Sequence, residues 1–131
     1  MKKMNNKGFS LVELIIVIAI MAILIGVLAP QYIKYVEKSR VSADEDTADE
    51  LRKAIETACA DEEYVDSISG GETVQFTGTG VTSSANLSAP LAEYFKDYSN
   101  KSAKSKSYKN KTYTISVVND SDILKVSAGW N

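Results

Sequence analysis

The residues able to do chemistry are few, and their pattern narrows the functions open to this chain. Its 131 residues include no histidine and one cysteine, Cys59. The commonest zinc ligand and the usual general base for a serine or cysteine nucleophile are therefore missing. A lone thiol cannot close an intrachain disulfide, so Cys59 reads as a small packing residue, with an intersubunit bridge as the lesser alternative. Gly78-Thr79-Gly80 is a turn and not a phosphate loop, because no Gly-Lys-Ser/Thr succeeds it. Asp120 and Asp122 share one short segment, but calcium takes six to eight oxygens and two carboxylates supply few. A hairpin turn is expected there, with no metal, no cofactor and no catalytic centre. Lys101, Lys104, Lys106, Lys109 and Lys111 form a basic patch with Tyr108 and Tyr113 nearby. Residues 96–111 sum to +5, whereas residues 37–66 sum to -7. The plain reading of the patch is a solvated loop; the sharper one is contact with DNA or another anionic surface.

One further group stands out by its surroundings. Glu13 is the single charge in the 21 residues from Phe9 to Ala29. At about 1.5 Å per residue, a helix of that length spans roughly 30 Å, the thickness of a bilayer core. Lys2, Lys3 and Lys7 precede it and hold the amino end in the cytoplasm, which places the chain beyond Pro30 outside. The run is longer than a secretory signal's apolar region, and Pro30 directly after Val27-Leu28-Ala29 disfavours cleavage there. A carboxylate in hydrocarbon costs about 2.5–3.5 kcal/mol even on a lenient scale, so Glu13 requires a partner. Its place in the first helical turn, where the macrodipole favours an anion, offsets only part of that cost. Pro30 lacks an amide hydrogen and opposes the carbonyl of Gly26, itself a poor helix former, so the two mark a weak point or kink in the helix.

Lys7-Gly8-Phe9-Ser10-Leu11-Val12-Glu13-Leu14, leading into this apolar run, resembles the processing site of type IV prepilins and their pseudopilin relatives. The resemblance implies that Gly8 ends a leader cut by a prepilin peptidase and that Phe9 becomes a methylated amino terminus. It further implies that Glu13 pairs with the Phe9 ammonium of a neighbouring copy, and that the Gly26–Pro30 segment can stretch inside a filament. The partners it implies are other copies of the chain, the peptidase, an inner-membrane assembly machinery, and the membrane before assembly. The function implied is a type IV pilus subunit for adhesion, twitching motility or DNA uptake. A pseudopilin of a type II secretion or competence apparatus is the alternative, and a single-span anchored binding module is the second alternative. The chain departs from many Gram-negative pilins in lacking a carboxy-terminal cysteine pair.

The elements that must carry these residues are legible from periodicity. Beyond Pro30, Ile33, Val36, Ala43, Thr47, Leu51, Ile55 and Ala58 recur at helical spacings, while Asp44, Glu45, Asp46, Asp49 and Glu50 fall where a solvated face would. One helix is expected from about Ser10 to about Glu63. Thr73–Thr77 reads as a strand, and Leu91, Tyr94, Phe95 and Tyr98 read as a short second helix with Pro90 near its first turn. A polar loop is expected from Ser99 to Lys111. Tyr113, Ile115 and Val117 alternate against Leu124, Val126, Ala128 and Trp130, with Asn119–Asp122 as turn residues. The expected fold class is α+β: a long N-terminal membrane-spanning helix packed on a small antiparallel β-sheet head. Residues 1–8 form the leader, 9–30 the transmembrane and assembly half, and 31–131 the extracellular head. Stacked heads bearing +5 and -7 blocks would bring the lysine loop of one copy onto the acidic helix face of the next. Replacing Gly8 by a bulky residue should leave an uncut, membrane-bound precursor without filaments; normal filaments, counted by electron microscopy, would contradict the processing reading.

Overall fold

The computed structural model describes Gly8 and residues 10–131. The leader lysines Lys2, Lys3 and Lys7, and Phe9, lie outside the described residues. Helix α1 spans Leu11–Ala60, and helical backbone continues through Gly26 and Pro30. The chain divides into two compact units, with the boundary between Val36 and Glu37.

In the first unit no residue of the most apolar stretch of α1 is buried. Large hydrophobic side chains stand out all along it, from Val17 at 44% exposed to Leu11 at 72%. Repeated Ile, Leu and Val on every side of a helix make the pattern of a segment that needs an apolar surrounding on all faces.

In the second unit the remainder of α1 packs against a four-stranded antiparallel sheet. The strands are β1 (Thr73–Thr77), β2 (Gly80–Ser83), β3 (Tyr113–Asp120) and β4 (Ile123–Trp130), in the order β2-β1-β3-β4. A second helix, α2 (Ala85–Tyr94), and a 3-10 turn at Tyr98–Asn100 lie between β2 and β3. Helical and strand periodicities meet in one core: Ala48, Leu51, Ala54, Ile55 and Ala58 from α1, Leu87 and Leu91 from α2, and Val74, Phe76, Tyr113, Ile115 and Val117 from the sheet. Each fully buried Leu, Ile, Phe or Val there contributes about 1.5–3 kcal/mol. Register keeps those strand residues on one face, with Val74 opposite Ile115 and Phe76 opposite Tyr113. On β4, Trp130 pairs with Tyr113, Ala128 with Ile115 and Val126 with Val117, the matching expected from their alternation.

Three local features differ from expectation. The pair β1–β2 closes a hairpin through Gly78-Thr79, so Gly80 begins a strand and does not merely end a turn. Helix α2 begins at Ala85, five residues before Pro90, and ends at Tyr94; Phe95 and Tyr98 fall beyond it. Asp44 is 2% exposed, and Ala43 is exposed in its place, because the buried stripe runs 44, 48, 51, 55, 58.

The β3–β4 turn is tight: Asp120 pairs with Ile123, leaving Ser121 and Asp122 as a two-residue loop. Both have positive φ, 56° and 66°, as a type I′ hairpin demands, although neither is glycine. The Asn119 side-chain oxygen accepts the Asp122 N–H at 3.0 Å and supports the turn. Gly70, at φ 99°, does require glycine, since a Cβ there would sit 2.8 Å from the Asn119 nitrogen. A chain beginning at Tyr35 should be soluble and folded. In it, changing Ser121-Asp122 to Asn-Gly should raise stability by roughly 0.5–1 kcal/mol by relieving the left-handed strain. Urea unfolding monitored by circular dichroism checks both statements; an unchanged or lowered midpoint would show that the turn is unstrained.

Candidate functional site

The first candidate site lies at the start of α1. Ser10 and Glu13 form a reciprocal capping box: the Glu13 N–H donates to Ser10 Oγ at 3.2 Å, and the Ser10 N–H donates to Glu13 Oε2 at 3.4 Å. The Ser10 carbonyl also accepts the Leu14 N–H at 3.1 Å. The Ser-X-X-Glu spacing is a capping signature in its own right, and it gives Glu13 a local function beside any intermolecular one. The box aims the carboxylate back toward the amino end of the helix. Glu13, Ser10 and Gly8 are all exposed. Phe9, the residue expected to be the mature terminus, is outside the described residues. At the other end of the apolar run, a Cβ added to Gly26 would meet nothing within 4 Å.

The second candidate is the lysine loop, which has an unexpected anchor. Two acids of α1, Asp44 and Glu37, are held by the loop's backbone amides, not by its ammonium groups. Asp44 accepts the Lys104 N–H through both oxygens, at 3.0 and 3.1 Å, and the Ser105 N–H at 2.8 Å. Glu37 Oε1 accepts the N–H groups of Lys106 at 2.7 Å and Ser107 at 3.3 Å. The Tyr108 hydroxyl donates to Glu45 Oε1 at 2.8 Å, which raises the phenol's pKa. Tyr108 also stacks on Trp130, with ring centroids 4.1 Å apart, and Ala103 and Ser105 are buried. The loop is thus docked on its own chain's helix. Asp44, Glu37 and Glu45 carry partners within their own chain. The sequence signal for Asp44 is its place in the 4-3-4-3 stripe with Ala48, Leu51, Ile55 and Ala58.

The lysine side chains remain outside. Lys101 Nζ lies 6.0 Å from the Phe95 ring centroid, and Lys111 Nζ lies 5.9 Å from that of Tyr108. Among the described residues, none of the five loop lysines is within ion-pair distance of a carboxylate. Asp120 is engaged by Lys125 Nζ at 2.7 Å, and no trio of carboxylate or thiol ligands suited to a metal occurs among the described residues.

Three other ionisable clusters are structural. Burial alone pushes the Glu72 carboxyl up. Hydrogen bonds from the Asn86 side chain and the Ser69 and Gly70 amides outweigh this and leave its pKa below the ordinary value. Burial also raises the Cys59 thiol, with Glu72 and Glu56 adding to the effect, so this cysteine is a poor nucleophile. Near the end of α1, Tyr64 donates to Glu93 and Tyr94 donates to Asp61, with the two rings edge to face at 6.4 Å. These bonds push both phenols up to about 12.

A single apolar helix opening onto an α+β head defines a pilin-like fold. The prokaryotic N-terminal methylation motif matches residues 3–29. A type IV major fimbrial protein FimA of Dichelobacter nodosus is 42% identical over 64 residues, which is 49% of this chain and 40% of that protein. A fimbrial protein of Moraxella nonliquefaciens is 45% identical over 52 residues, 40% of this chain and 34% of that protein. The chain thus spans about two fifths or less of the length of the curated relatives it matches. No solved structure matches. Motif and relatives together support a type IV pilin family for this chain.

The crossed tyrosines give a signed pH dependence. A phenol whose folded pKa is raised stabilises the fold fully below its ordinary value of 10, and that contribution is lost as pH climbs through about 12. Melting temperature should therefore fall between pH 10 and 12. The double change Tyr64→Phe with Tyr94→Phe should flatten that fall while lowering the melting temperature at pH 8. An identical alkaline slope in the double variant would show that the two bonds do not form in solution.

Proposed function

We propose that this chain is the structural subunit of a type IV pilus filament, with no catalytic role. It is made as a single-span membrane precursor, with its leader in the cytoplasm and its head outside. A prepilin peptidase cuts after Gly8, Phe9 is methylated, and an inner-membrane assembly machinery moves the subunit into an extracellular homopolymer. Adhesion, twitching motility and DNA uptake are the uses such a filament serves. The observation that carries this reading is the apolar half of α1, exposed on all sides and contained within the methylation motif match at residues 3–29. A surface of that size and composition is covered either by lipid or by identical helices.

Within the filament, the Glu13 carboxylate pairs with the Phe9 ammonium of another copy. The capping box supports this by fixing the helix start one residue after Ser10 and turning the carboxylate toward the amino end. Losing one partner of a buried pair strands the other at about 3–5 kcal/mol. A pseudopilus is the closest rival, and it shares every one of these steps except the length of the polymer.

Mass spectrometry of the native protein should show a chain that begins at methylated Phe9. A chain that retains residues 1–8 would point to an anchored binding module. Glu13→Leu should insert into the membrane at least as well as the parent, since it removes a charge. It should nevertheless assemble poorly, with sheared filament yield down tenfold or more. Normal yield from that variant would reduce Glu13 to a helix cap.

A further inference from the structure

Beyond the assembly helix, the sequence holds a recurrence that the filament role leaves unused. Between Glu37 and Asn131, the asparagines with at least two residues after them are Asn86, Asn100, Asn110 and Asn119. Each opens an Asn-X-Ser/Thr triplet: Asn86-Leu87-Ser88, Asn100-Lys101-Ser102, Asn110-Lys111-Thr112 and Asn119-Asp120-Ser121. Serine and threonine fill 22 of the 95 positions in that stretch. Coincidence at all four asparagines is then a matter of roughly three parts in a thousand, and the triplet is the acceptor signature for glycan transfer to an amide nitrogen. All four asparagines are exposed, as a bulky polar modification requires.

The structure separates the four. Asn86 sits in α2 and donates its Nδ2 to Glu72 Oε1 at 3.2 Å, so the nitrogen that would be modified is engaged by a buried carboxylate. Asn119 is fixed in the β3–β4 hairpin by its bond from the Asp122 N–H. In the third triplet, Thr112 is held at both its N–H and its carbonyl by Asn131, at 3.1 and 2.9 Å. Asn100 differs. It is the last residue of a 3-10 turn, Lys101 after it is extended at φ -92° and ψ 140°, and residues 101–104 have no regular structure. Among the described residues no hydrogen bond holds the Asn100 side chain.

A second observation falls at the same place. Asn100 lines a hollow of about 460 Å³ together with Thr47, Asp97, Lys101, Ser102 and Lys104. That volume is within the range of small-molecule sites, about 300–1,000 Å³. The Asp97 carboxylate, the Lys101 and Lys104 ammonium groups and the Thr47 and Ser102 hydroxyls around one opening suit a ligand made of hydroxyl groups.

We propose that Asn100 is a glycosylation site whose first sugar rests in this hollow. The donor class is a lipid-pyrophosphate-linked sugar, and a membrane transferase brings it to the head. The Asn100 Nδ2 bonds to the anomeric carbon, and the bond from that carbon to the pyrophosphate oxygen breaks. The lipid pyrophosphate leaves with the bonding pair, one Nδ2 proton passes to a base of the transferase, and nothing is oxidised or reduced. Ser102 is the residue the transferase reads. The proposal rests on the reading above that the head lies outside the membrane.

The test is mass spectrometry of protein purified from the cells that make it, reading the amino-terminal peptide and the peptide containing Asn100 in one sample. Expected are a chain that starts at Phe9 and an Asn100 peptide heavier by one or more sugar residues. Asn100→Gln and Ser102→Ala should each abolish the added mass, and Ser102→Thr should retain it. An Asn100 peptide of unmodified mass on chains that start at Phe9 overturns this proposal and leaves the filament reading standing. Added mass that persists in Ser102→Ala overturns the triplet as its cause. Chains that still carry the leader overturn the filament reading, and this proposal with it.

Discussion

An apolar helix surface with nothing to cover it is the constraint on which the rest of the molecule depends. From Leu11 to Leu28 the large side chains of α1 are 44% to 72% exposed in the isolated subunit. At about 25 cal/mol per Å² of apolar area, leaving such a surface in water is untenable. Lipid would cover it at no cost in specificity, and other copies of the same helix would cover it with register. In the proposed filament, Glu13 decides between these two states. In lipid it is a penalty; against a neighbouring ammonium it is a partner that only a correctly staggered copy provides. The Ser10–Glu13 capping box holds the carboxylate at the helix start, where the macrodipole eases the wait.

The head solves a different electrostatic problem. Residues 37–66 carry -7 and residues 96–111 carry +5, yet the two blocks meet through neutral donors. Backbone N–H groups of Lys104 to Ser107 bind Asp44 and Glu37, so the acids are satisfied without using an ammonium group. A buried carboxylate with amide donors at fixed distances holds the loop more rigidly than long lysine side chains could. Tyr108, clamped between Glu45 and the Trp130 ring, completes the anchor. The consequence for the surface is that the lysine side chains project from a loop whose backbone is held in place.

Much of this architecture is legible in local patterns. The apolar run is legible from its length and unbroken hydrophobicity, and strand β1 and the β3–β4 matching are legible from periodicity, because those strands bury one face against the same core. Strand β2 is not legible in this way, because Gly80-Val81-Thr82-Ser83 has a single large apolar residue and owes its existence to pairing with β1. Helix α2 lies earlier than its sequence suggests. Pro90 points to a first turn, whereas the helix before it tolerates a proline that Leu87 and Leu91 pin into the core. The charge of Asp44 points to solvent. Only the loop sixty residues away, folded against it, makes a buried carboxylate tolerable there. The capping box is legible as Ser10-X-X-Glu13, but the apolar run beside it makes an intermolecular partner the more conspicuous reading of the same acid.

The most direct measurement is a cryo-electron density map of filaments sheared from the cell surface. The account predicts a filament axis lined by the apolar halves of α1 from many copies. It further predicts each Glu13 carboxylate within about 4 Å, ion-pair distance, of a Phe9 amine from another copy. Filaments in which these helices are separated by water, or in which Glu13 faces no amine, would contradict it.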